Sequence, residues 1–197
     1  MNEQASELVG QGQARYTPQN LNEAVNLRNG IALIPYGEAN GTRTVPDDLI
    51  VSLYHELDAD GVIEAVFRDD MQDAKAFVKS MKHPENLPVF VLVDGDILGV
   101  AWLNGIKKNC AFSHFVFVKR CLGKHSIEMG RRLLGYWFAL PSGDGFIFDV
   151  LIGNIPARNR LAINYIKKLG YKELGKIPYL ADGEPMSVSY IERIDHG

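Results

Sequence analysis

The sequence predicts an α+β fold in which helices flank a largely antiparallel sheet. Three observations carry this prediction. A β-hairpin pattern surrounds Asp94-Gly95, an apolar run typical of a central strand covers Phe146–Ile152, and a helical pattern follows that run and ends at Gly170. With 197 residues, the chain is long enough for one domain of ordinary size, whereas two independent cores would each be thin.

The composition is that of an ordinary folded protein, with 46% apolar and 23% charged residues. A net charge of -3 provides no general attraction for the phosphates of nucleic acid. No apolar run approaches the roughly 18 residues of a membrane span, and the N-terminus is too polar for a signal peptide. We therefore expect a cytoplasmic protein without nucleic-acid or membrane partners. Cys110 and Cys121 fit no metal-binding spacing, so we expect two reduced thiols and no metal.

The first part of the chain predicts an arm, a strand and a helix. Residues 1–30 are polar and should form a loosely ordered arm ahead of a single domain at residues 31–197. Ile31–Tyr36 has the pattern of an opening strand. Pro46-Asp47-Asp48 places a proline and two carboxylates where a helix begins. The helical apolar period that follows consists of Leu49, Leu53 and Leu57.

A second helix and three strands come next. Asp69-Asp70 precedes a helical pattern that ends at His83-Pro84. Pro88–Val93 and Ile97–Leu103 flank the Asp-Gly turn as the two strands of a hairpin. The alternating, β-branched and aromatic stretch Ala111–Val118 predicts the next antiparallel strand. The apolar period of the second helix consists of Met71, Ala74, Phe77, Val78 and Met81.

The remainder of the chain alternates helices and strands. A basic, glycine-containing loop at Lys119–His125 leads into Ser126–Leu140, which carries a helical apolar face. The strand at Phe146–Ile152 is followed by a helix at Ala157–Leu169, and Glu184–Ile194 supplies a final strand.

Two motifs indicate a family. Asn159-Arg160-Leu161-Ala162-Ile163 is followed by Leu169-Gly170-Tyr171 and then by Gly175, and the hairpin contains Val-Asp-Gly-Asp-Ile-Leu-Gly. In this order they resemble the GNAT superfamily of N-acetyltransferases over Ile31–Ile194. The resemblance implies a three-layer α/β arrangement with a mixed central sheet, and a transferase that uses acetyl-CoA (coenzyme A) in an acyltransferase reaction. The alternative is that Asn159 caps a turn and Gly170 ends a helix, as such residues do in any fold.

The cofactor loop of the family reads Gln or Arg, two residues, Gly, one residue, and Gly or Ala, and it opens a helix. One register places His125 first, Glu128 at the first Gly and Gly130 at the second. We favour this register because it keeps the usual helix length. The other register starts at Arg120 and matches Gly123, but it leaves His125 at the last position.

The chemistry of such a loop is pyrophosphate binding by backbone N–H groups at a helix N-terminus, with cations nearby. Glu128 would repel a phosphate placed close by, and the basic residues could equally form a solvated face. The resemblance implies that the cofactor contacts Lys124, His125, Ser126, Gly130, Arg131 and Asn159. It also implies an acyl chain along Phe115, Val116, Phe117 and Val118.

Two residues are candidates for proton transfer. His114 lies on the predicted acyl-binding strand, and its ordinary pKa of about 6.5 suits a catalytic base, with a structural role as the alternative. Many family members have a tyrosine, as acid for the departing thiolate, four residues before the Gly of Leu-Gly-Phe. That position is Ile166 here, with Tyr165 beside it. The acid is therefore Tyr165, another residue or water, or the domain is catalytically degraded.

Acidic residues are dense in Glu56–Asp73, the region whose helices line the acceptor site in the family. An acidic lining would attract a cationic amine, and a solvated acidic surface is the alternative. The expected reaction is direct transfer of an acetyl group from acetyl-CoA to a primary amine of a small molecule or protein. The alternative function is a non-catalytic acyl-CoA-binding or protein-interaction module. A homodimer is one expected state of assembly.

Overall fold

The computed structural model describes residues 30–67, 71, 73–143, 145–180 and 184–196. Residues 1–29 of the predicted arm lie outside the described residues, as do Asp69 and Asp70. The helices are α1 (Asp47–Ala59), α2 (Val62–Phe67), α3 (Ala74–Met81), α4 (Lys124–Phe138) and α5 (Arg160–Leu169). The strands are β1 (Ile31–Pro35), β2 (Glu38–Ala39), β3 (Thr42–Arg43), β4 (Leu87–Val93), β5 (Asp96–Lys107), β6 (Cys110–Phe117), β7 (Pro141–Ser142), β8 (Gly145–Phe146), β9 (Val150–Pro156), β10 (Lys172–Leu180) and β11 (Glu184–Glu192).

Seven strands form one mixed sheet in the order β1-β4-β5-β6-β9-β11-β10. The pairs β1–β4, β4–β5, β9–β11 and β10–β11 are antiparallel, and the pair β6–β9 is parallel. This arrangement confirms the predicted mixed, mainly antiparallel sheet. Among the described residues, none of the helices has the length and apolar character needed to cross a bilayer. Cys110 and Cys121 are both free thiols, as expected.

The chain clusters into two compact units that share β5 and β6. Of the described residues, the first unit contains those from Gly30 to Leu103 together with Phe115–Leu122. The second unit contains Asn104–His114 and the described residues from Gly123 to His196. The expectation of one domain at residues 31–197 stays a prediction.

The first unit confirms the predicted hairpin and the first helix. The strands β4 and β5 turn at Asp94-Gly95, whose φ angles of 51° and 95° fit a type I′ turn. Pro46 precedes α1 as its N-cap residue. The buried face of α1 differs from the predicted one, because Leu49 is 44% exposed and Ile50 is buried in its place. Leu53 and Leu57 are buried as predicted.

The second predicted helix is confirmed as α3, with a later start. Asp73 caps it, since Asp73 Oδ1 accepts a hydrogen bond from the Ala76 N–H at 2.7 Å. Met71 therefore precedes the helix, although its side chain is buried. Helix α2 was not predicted, and its buried Phe67 stacks on Trp102 with ring centroids 5.6 Å apart.

In the second unit, the central strand begins later than predicted. The predicted strand Phe146–Ile152 is wrong in its first four residues, because β9 begins at Val150. Phe146 belongs instead to the short strand β8 and is 47% exposed. The Arg193 guanidinium carbon lies 4.5 Å from the centroid of the Phe146 ring. The apolar run therefore contained both a partly exposed aromatic residue of β8 and the first residues of the half-buried strand β9.

The last three elements follow the expected order with one addition. Helix α5 starts at Arg160 rather than Ala157, because Asn159 is its N-cap. It ends before Gly170, as predicted. The final strand is confirmed as β11, while β10 is an edge strand that was not predicted.

Candidate active site

The sheet of the second unit has two different faces. The Cα pairs Phe112↔Ile152 and Ile152↔Tyr190 place these side chains on one face, and alternate residues along each strand share it. We call this the open face; its half-buried residues are Phe112, His114, Ile152, Asn154, Val188 and Tyr190. On the other face, a Cβ atom added at Gly153 would lie 3.5 Å from Ile166 Cδ1 and 3.6 Å from Tyr171 Cε1, so these two side chains cover that face. We call this the helix-packed face; its buried residues are Ala111, Ser113, Leu151, Gly153, Ser187, Ser189 and Ile191.

His114 and Asn154 lie next to the end of a short parallel ladder. The pairing of β6 with β9 runs from Cys110↔Val150 to Phe112↔Ile152. His114 and Asn154 each lie two residues beyond the last pair, and both belong to the open face. Strand backbone beyond the end of a ladder can bond to a ligand in place of a neighbouring strand.

His114 is desolvated and has a polar neighbour. Its Nε2 lies 3.0 Å from Asn104 Oδ1. With the carboxamide oxygen as acceptor, Nε2 carries the proton and Nδ1 the lone pair. Burial disfavours the imidazolium and lowers the pKa of His114 to about 4. The ring is therefore neutral at pH 7, and its pKa is lower than the ordinary value expected from the sequence. Its role as the base stays a prediction.

Asn154 is the second polar side chain of the open face. Its Oδ1 is buried and has no hydrogen-bond partner among the described residues, a property that Ser189 Oγ on the helix-packed face shares. A buried carbonyl oxygen without a donor costs about 1–3 kcal/mol, and a donor from a bound molecule would remove that cost. Sequence reasoning missed Asn104 and Asn154, because a single asparagine in a strand has no spacing signal.

The Leu-Gly-Tyr motif packs the helix-packed face. The Ser113 hydroxyl donates to the Ile152 carbonyl at 3.2 Å and lies 2.7 Å from the Tyr171 hydroxyl. Since Ser113 uses its proton on the carbonyl, Tyr171 donates to Ser113 Oγ. Ile166, at the position where the family has its acid, is only 5% exposed and offers no proton.

The N-terminus of α4 has the geometry of an anion site. The helix begins at Lys124, and its N-cap Gly123 has φ 106°, a conformation that favours glycine. The Ser126 hydroxyl donates to the Gly123 carbonyl at 2.9 Å and accepts from the Gly123 N–H at 3.2 Å. The N–H groups of Lys124, His125 and Ser126 belong to the first turn, where helix N–H groups have no intrahelical acceptor. Such groups bind phosphate.

The start of α4 discriminates between the two loop registers. Arg120 and Gly123 precede the helix, whereas Glu128 and Gly130 follow its first turn. N–H groups there bond to carbonyls one turn earlier, so Gly130 offers no N–H to a phosphate. The geometry fits the register that starts at Arg120 and does not fit the one that starts at His125. Cofactor binding by either set of residues stays a prediction.

Charges near the start of α4 are partly compensated. Arg132 Nη2 lies 2.8 Å from Glu128 Oε1, one turn along the helix. This ion pair weakens the repulsion expected between Glu128 and a bound phosphate. His125 and Arg131 are exposed. Both side chains can therefore meet an anion that approaches from solvent.

Tyr165 and Asn159 have defined partners within the second unit. The Tyr165 hydroxyl donates to the Ser126 carbonyl in the first turn of α4, at 3.0 Å. Asn159 Oδ1 accepts from the Ala162 N–H at 3.1 Å and so caps α5. The catalytic role predicted for Tyr165 and the cofactor contact predicted for Asn159 stay predictions.

The residues expected along the acyl chain lie in the first unit. The Val118 N–H donates to the Leu98 carbonyl at 2.9 Å, and the Val118 carbonyl accepts from the Cys121 N–H at 3.2 Å. Both backbone groups of Val118 are therefore engaged. Phe115 is half-buried, and the buried residues of this segment are Val116, Phe117 and Val118.

Acidic residues of the first unit hold the loop that follows β6. Arg120 Nε lies 2.6 Å from Glu56 Oε1, and Arg120 Nη1 lies 3.3 Å from Asp96 Oδ2. Asp60 Oδ2 accepts a hydrogen bond from the Lys119 N–H. Two of the carboxylates expected to attract an amine thus have internal partners. The exposed acidic residues of the region, in the part that the structure describes, are Asp58, Glu64 and Asp73.

No protein-family model matches the chain, and no curated protein matches it in sequence. Solved structures do resemble it. One is the microcin C7 self immunity acetyltransferase MccE in complex with acetyl-CoA and AMP, with a TM-score of 0.65 and 12% identity over 86% of this chain and 99% of that chain.

Two further solved structures that resemble the chain contain coenzyme A. The spermidine N-acetyltransferase from Vibrio cholerae, in complex with CoA and spermine, has a TM-score of 0.62 and 15% identity over 86% of this chain and 99% of that one. The ribosomal alpha-N-protein acetyltransferase RimL, in complex with coenzyme A, has a TM-score of 0.64 and 10% identity over 85% of this chain and 97% of that one. At these identities, the likeness shows a shared fold.

Proposed function

We propose that this chain, which has the fold of the GNAT acetyltransferases, is an acetyl-CoA-dependent N-acetyltransferase that acts on a primary amine. The observation that carries the proposal is the open face, where a neutral His114 and the buried Asn154 Oδ1 lie next to the end of the β6–β9 ladder. Asn154 Oδ1 is a hydrogen-bond acceptor without a donor among the described residues, and a primary amine is a donor that matches it.

The start of α4 fits the pyrophosphate of coenzyme A. The helix has 15 residues, and its N-terminal end carries the positive end of the helix dipole. The N–H groups of Lys124, His125 and Ser126 would bind the phosphate oxygens, with Arg131 adding positive charge. When bound, acetyl-CoA supplies an acetyl group activated as a thioester. The remaining candidates for contact with the cofactor are Phe115, Val116, Phe117, Val118 and Asn159.

The reaction forms a C–N bond and breaks a C–S bond, while one proton leaves the amine and the thiolate takes one up. With a pKa of about 4, His114 is too weak a base to deprotonate a free alkylammonium ion. It can accept the far more acidic proton of an amine nitrogen that has attacked the carbonyl. The amine must therefore arrive neutral. Ile166 offers no proton and the Tyr165 hydroxyl donates to Ser126, so we assign the proton of the thiolate to water.

The acceptor class is a primary amine of a small molecule or a protein. The structural neighbours include one enzyme bound to spermine and one that acetylates a protein N-terminus. The attraction of a cationic amine by the acidic residues of Glu56–Asp73 stays a prediction.

The test begins with calorimetric titration of the protein with acetyl-CoA. We expect saturable binding and a rise in Tm, since a ligand that binds only the folded state stabilises it. A panel of polyamines, aminoglycosides and peptides with a free N-terminus then follows, with detection of the free thiol. No heat and no thermal stabilisation with acetyl-CoA would contradict the proposal.

A non-catalytic acyl-CoA-binding module is the second candidate, and one observation favours it. Ile166 occupies the position where many family members have the tyrosine that protonates the thiolate. Its buried apolar side chain cannot protonate a thiolate. This candidate predicts binding of acetyl-CoA without release of thiol for any amine of the panel. Thiol release that depends on the amine would exclude it.

A further inference from the structure

We infer that Tyr165 is a positioning residue that fixes the first turn of α4 for the cofactor, and that Gly130 provides the space that its hydroxyl needs. This inference rests on the proposed function, because its effect is on coenzyme A affinity. It gives Tyr165 a different role from the thiolate acid that the sequence suggested.

The first step is the contact with Ser126. The Tyr165 hydroxyl donates to the Ser126 carbonyl at 3.0 Å. The hydroxyl of the same serine closes the turn at Gly123, by donating to the Gly123 carbonyl at 2.9 Å. Ser126 is only 3% exposed. Tyr165 therefore bonds to the residue whose hydroxyl caps the N-terminus of α4.

The second step is the fit against Gly130. A Cβ atom at Gly130 would collide with the Tyr165 hydroxyl and would lie 2.8 Å from both Cδ atoms of Leu169. Gly130 lies inside α4, where alanine has the higher helix propensity, and its φ is not among the positive values. Close approach of Tyr165, rather than backbone conformation, thus explains the glycine at this position.

The third step joins these contacts to binding. The N–H groups of the first turn can bind a pyrophosphate only if their peptide planes keep one orientation. Tyr165 bonds to the carbonyl of the Ser126–Ile127 peptide at the end of this turn and so holds the turn in place before the ligand arrives, which lowers the ordering cost of binding. Because its proton is used on the Ser126 carbonyl, the hydroxyl acts on affinity rather than on proton transfer.

The test compares Tyr165→Phe with the wild type. We expect the Kd of coenzyme A, measured by calorimetry, to rise about fivefold, the value of one ordinary hydrogen bond. The kcat at saturating acetyl-CoA and the pH profile of kcat should stay within about twofold of the wild type. The KM for acetyl-pantetheine, which lacks the pyrophosphate, should not change. Tyr36→Phe, which removes a hydroxyl bonded to Glu38 in an exposed hairpin, is the control.

Gly130→Ala extends the test to a double-mutant cycle. In the wild-type background, we expect this substitution to lower Tm and to weaken coenzyme A binding, because the new methyl group meets the Tyr165 hydroxyl. In the Tyr165→Phe background, the collision with the hydroxyl is gone, the contacts with the buried Leu169 remain, and alanine favours the helix. Gly130→Ala should then cost less or raise Tm, so the two substitutions should not be additive.

The outcomes separate the inference from the proposed function. A wild type that does not bind coenzyme A overturns the proposed function. Wild-type binding with an unchanged Kd in Tyr165→Phe overturns the inference alone, as do additive effects in the cycle. If Tyr165→Phe greatly lowered kcat and altered the alkaline limb of the pH profile of kcat, with an unchanged Kd for coenzyme A, Tyr165 would be assigned to acid catalysis instead. Tyr165→Phe alone decides the matter if Gly130→Ala does not fold.

Discussion

The two faces of the sheet in the second unit use the same strands for different purposes. On the helix-packed face, Ser113 and Tyr171 bond to each other, and burial raises the pKa of the Tyr171 hydroxyl, which keeps it protonated. On the open face, His114 is held neutral and Asn154 Oδ1 is buried without a donor among the described residues. We therefore expect the buried residues to contribute stability and the open-face residues to contribute chemistry, and substitutions at neighbouring positions can test this expectation.

The largest expected effect is on the stability of the helix-packed face. Leu151 is fully buried there, at 0% exposure, whereas Ile152 belongs to the half-buried open face. We expect Leu151→Ala to lower the free energy of unfolding by about 2–5 kcal/mol, and Ile152→Ala by roughly half as much. Urea denaturation of both variants measures the difference. Equal losses would contradict the distinction between the two faces.

The second expected effect is on the acid dependence of stability. The pKa of His114 is about 4 in the folded state, against about 6.5 in the unfolded chain, so the unfolded chain takes up the proton first. The contribution is fully present above pH 6.5 and is lost as the pH falls through 4. The loss of unfolding free energy is on the order of 3 kcal/mol.

His114→Gln should remove this part of the acid dependence. His125→Gln, a substitution at an exposed position, is the matched control. The measurement is urea denaturation of each variant and the wild type between pH 4 and 7. The same slope of stability against pH in His114→Gln and wild type would show that His114 is not desolvated.

The smallest expected effect is on acceptor affinity. Asn154→Leu removes the oxygen that we expect to accept a hydrogen bond from the amine. The KM for the amine should rise about five- to tenfold, while the KM for acetyl-CoA stays unchanged. Ser189→Ala removes a buried oxygen on the helix-packed face that also has no partner among the described residues, and it should leave both constants unchanged. Similar amine KM values in Asn154→Leu and wild type would remove Asn154 from the acceptor site.

Local patterns predicted most of the fold. The Asp94-Gly95 turn, the cap before α5 and the glycine after it each act within a few residues, so the sequence shows them directly. Strand β10 could not be predicted, because it is an edge strand whose exposed residues show no buried period. The sequence could not predict that Ile50 rather than Leu49 is buried in α1, because this depends on which side of the helix packs against the rest of the unit.

The candidate site was less predictable, because its contacts join distant residues. The hydroxyl of Tyr165 bonds to the Ser126 carbonyl and lies close to Gly130, and no spacing in the sequence predicts these contacts. The low pKa of His114 comes from burial, which appears only when the strands are assembled. The helix start at Lys124, which favours the register of Arg120, depends on the conformation of Gly123.

The most direct test of the central claim compares the turnover of Ser113→Ala and His114→Ala, adjacent substitutions on opposite faces of β6. The measurement is amine-dependent release of free thiol from acetyl-CoA. We predict that His114→Ala lowers kcat/KM on the order of 100-fold with an unchanged Kd for coenzyme A. Ser113→Ala should lower stability by about 1 kcal/mol and retain turnover. Equal turnover in the two variants, or full turnover in His114→Ala, would contradict acetyl transfer on the open face.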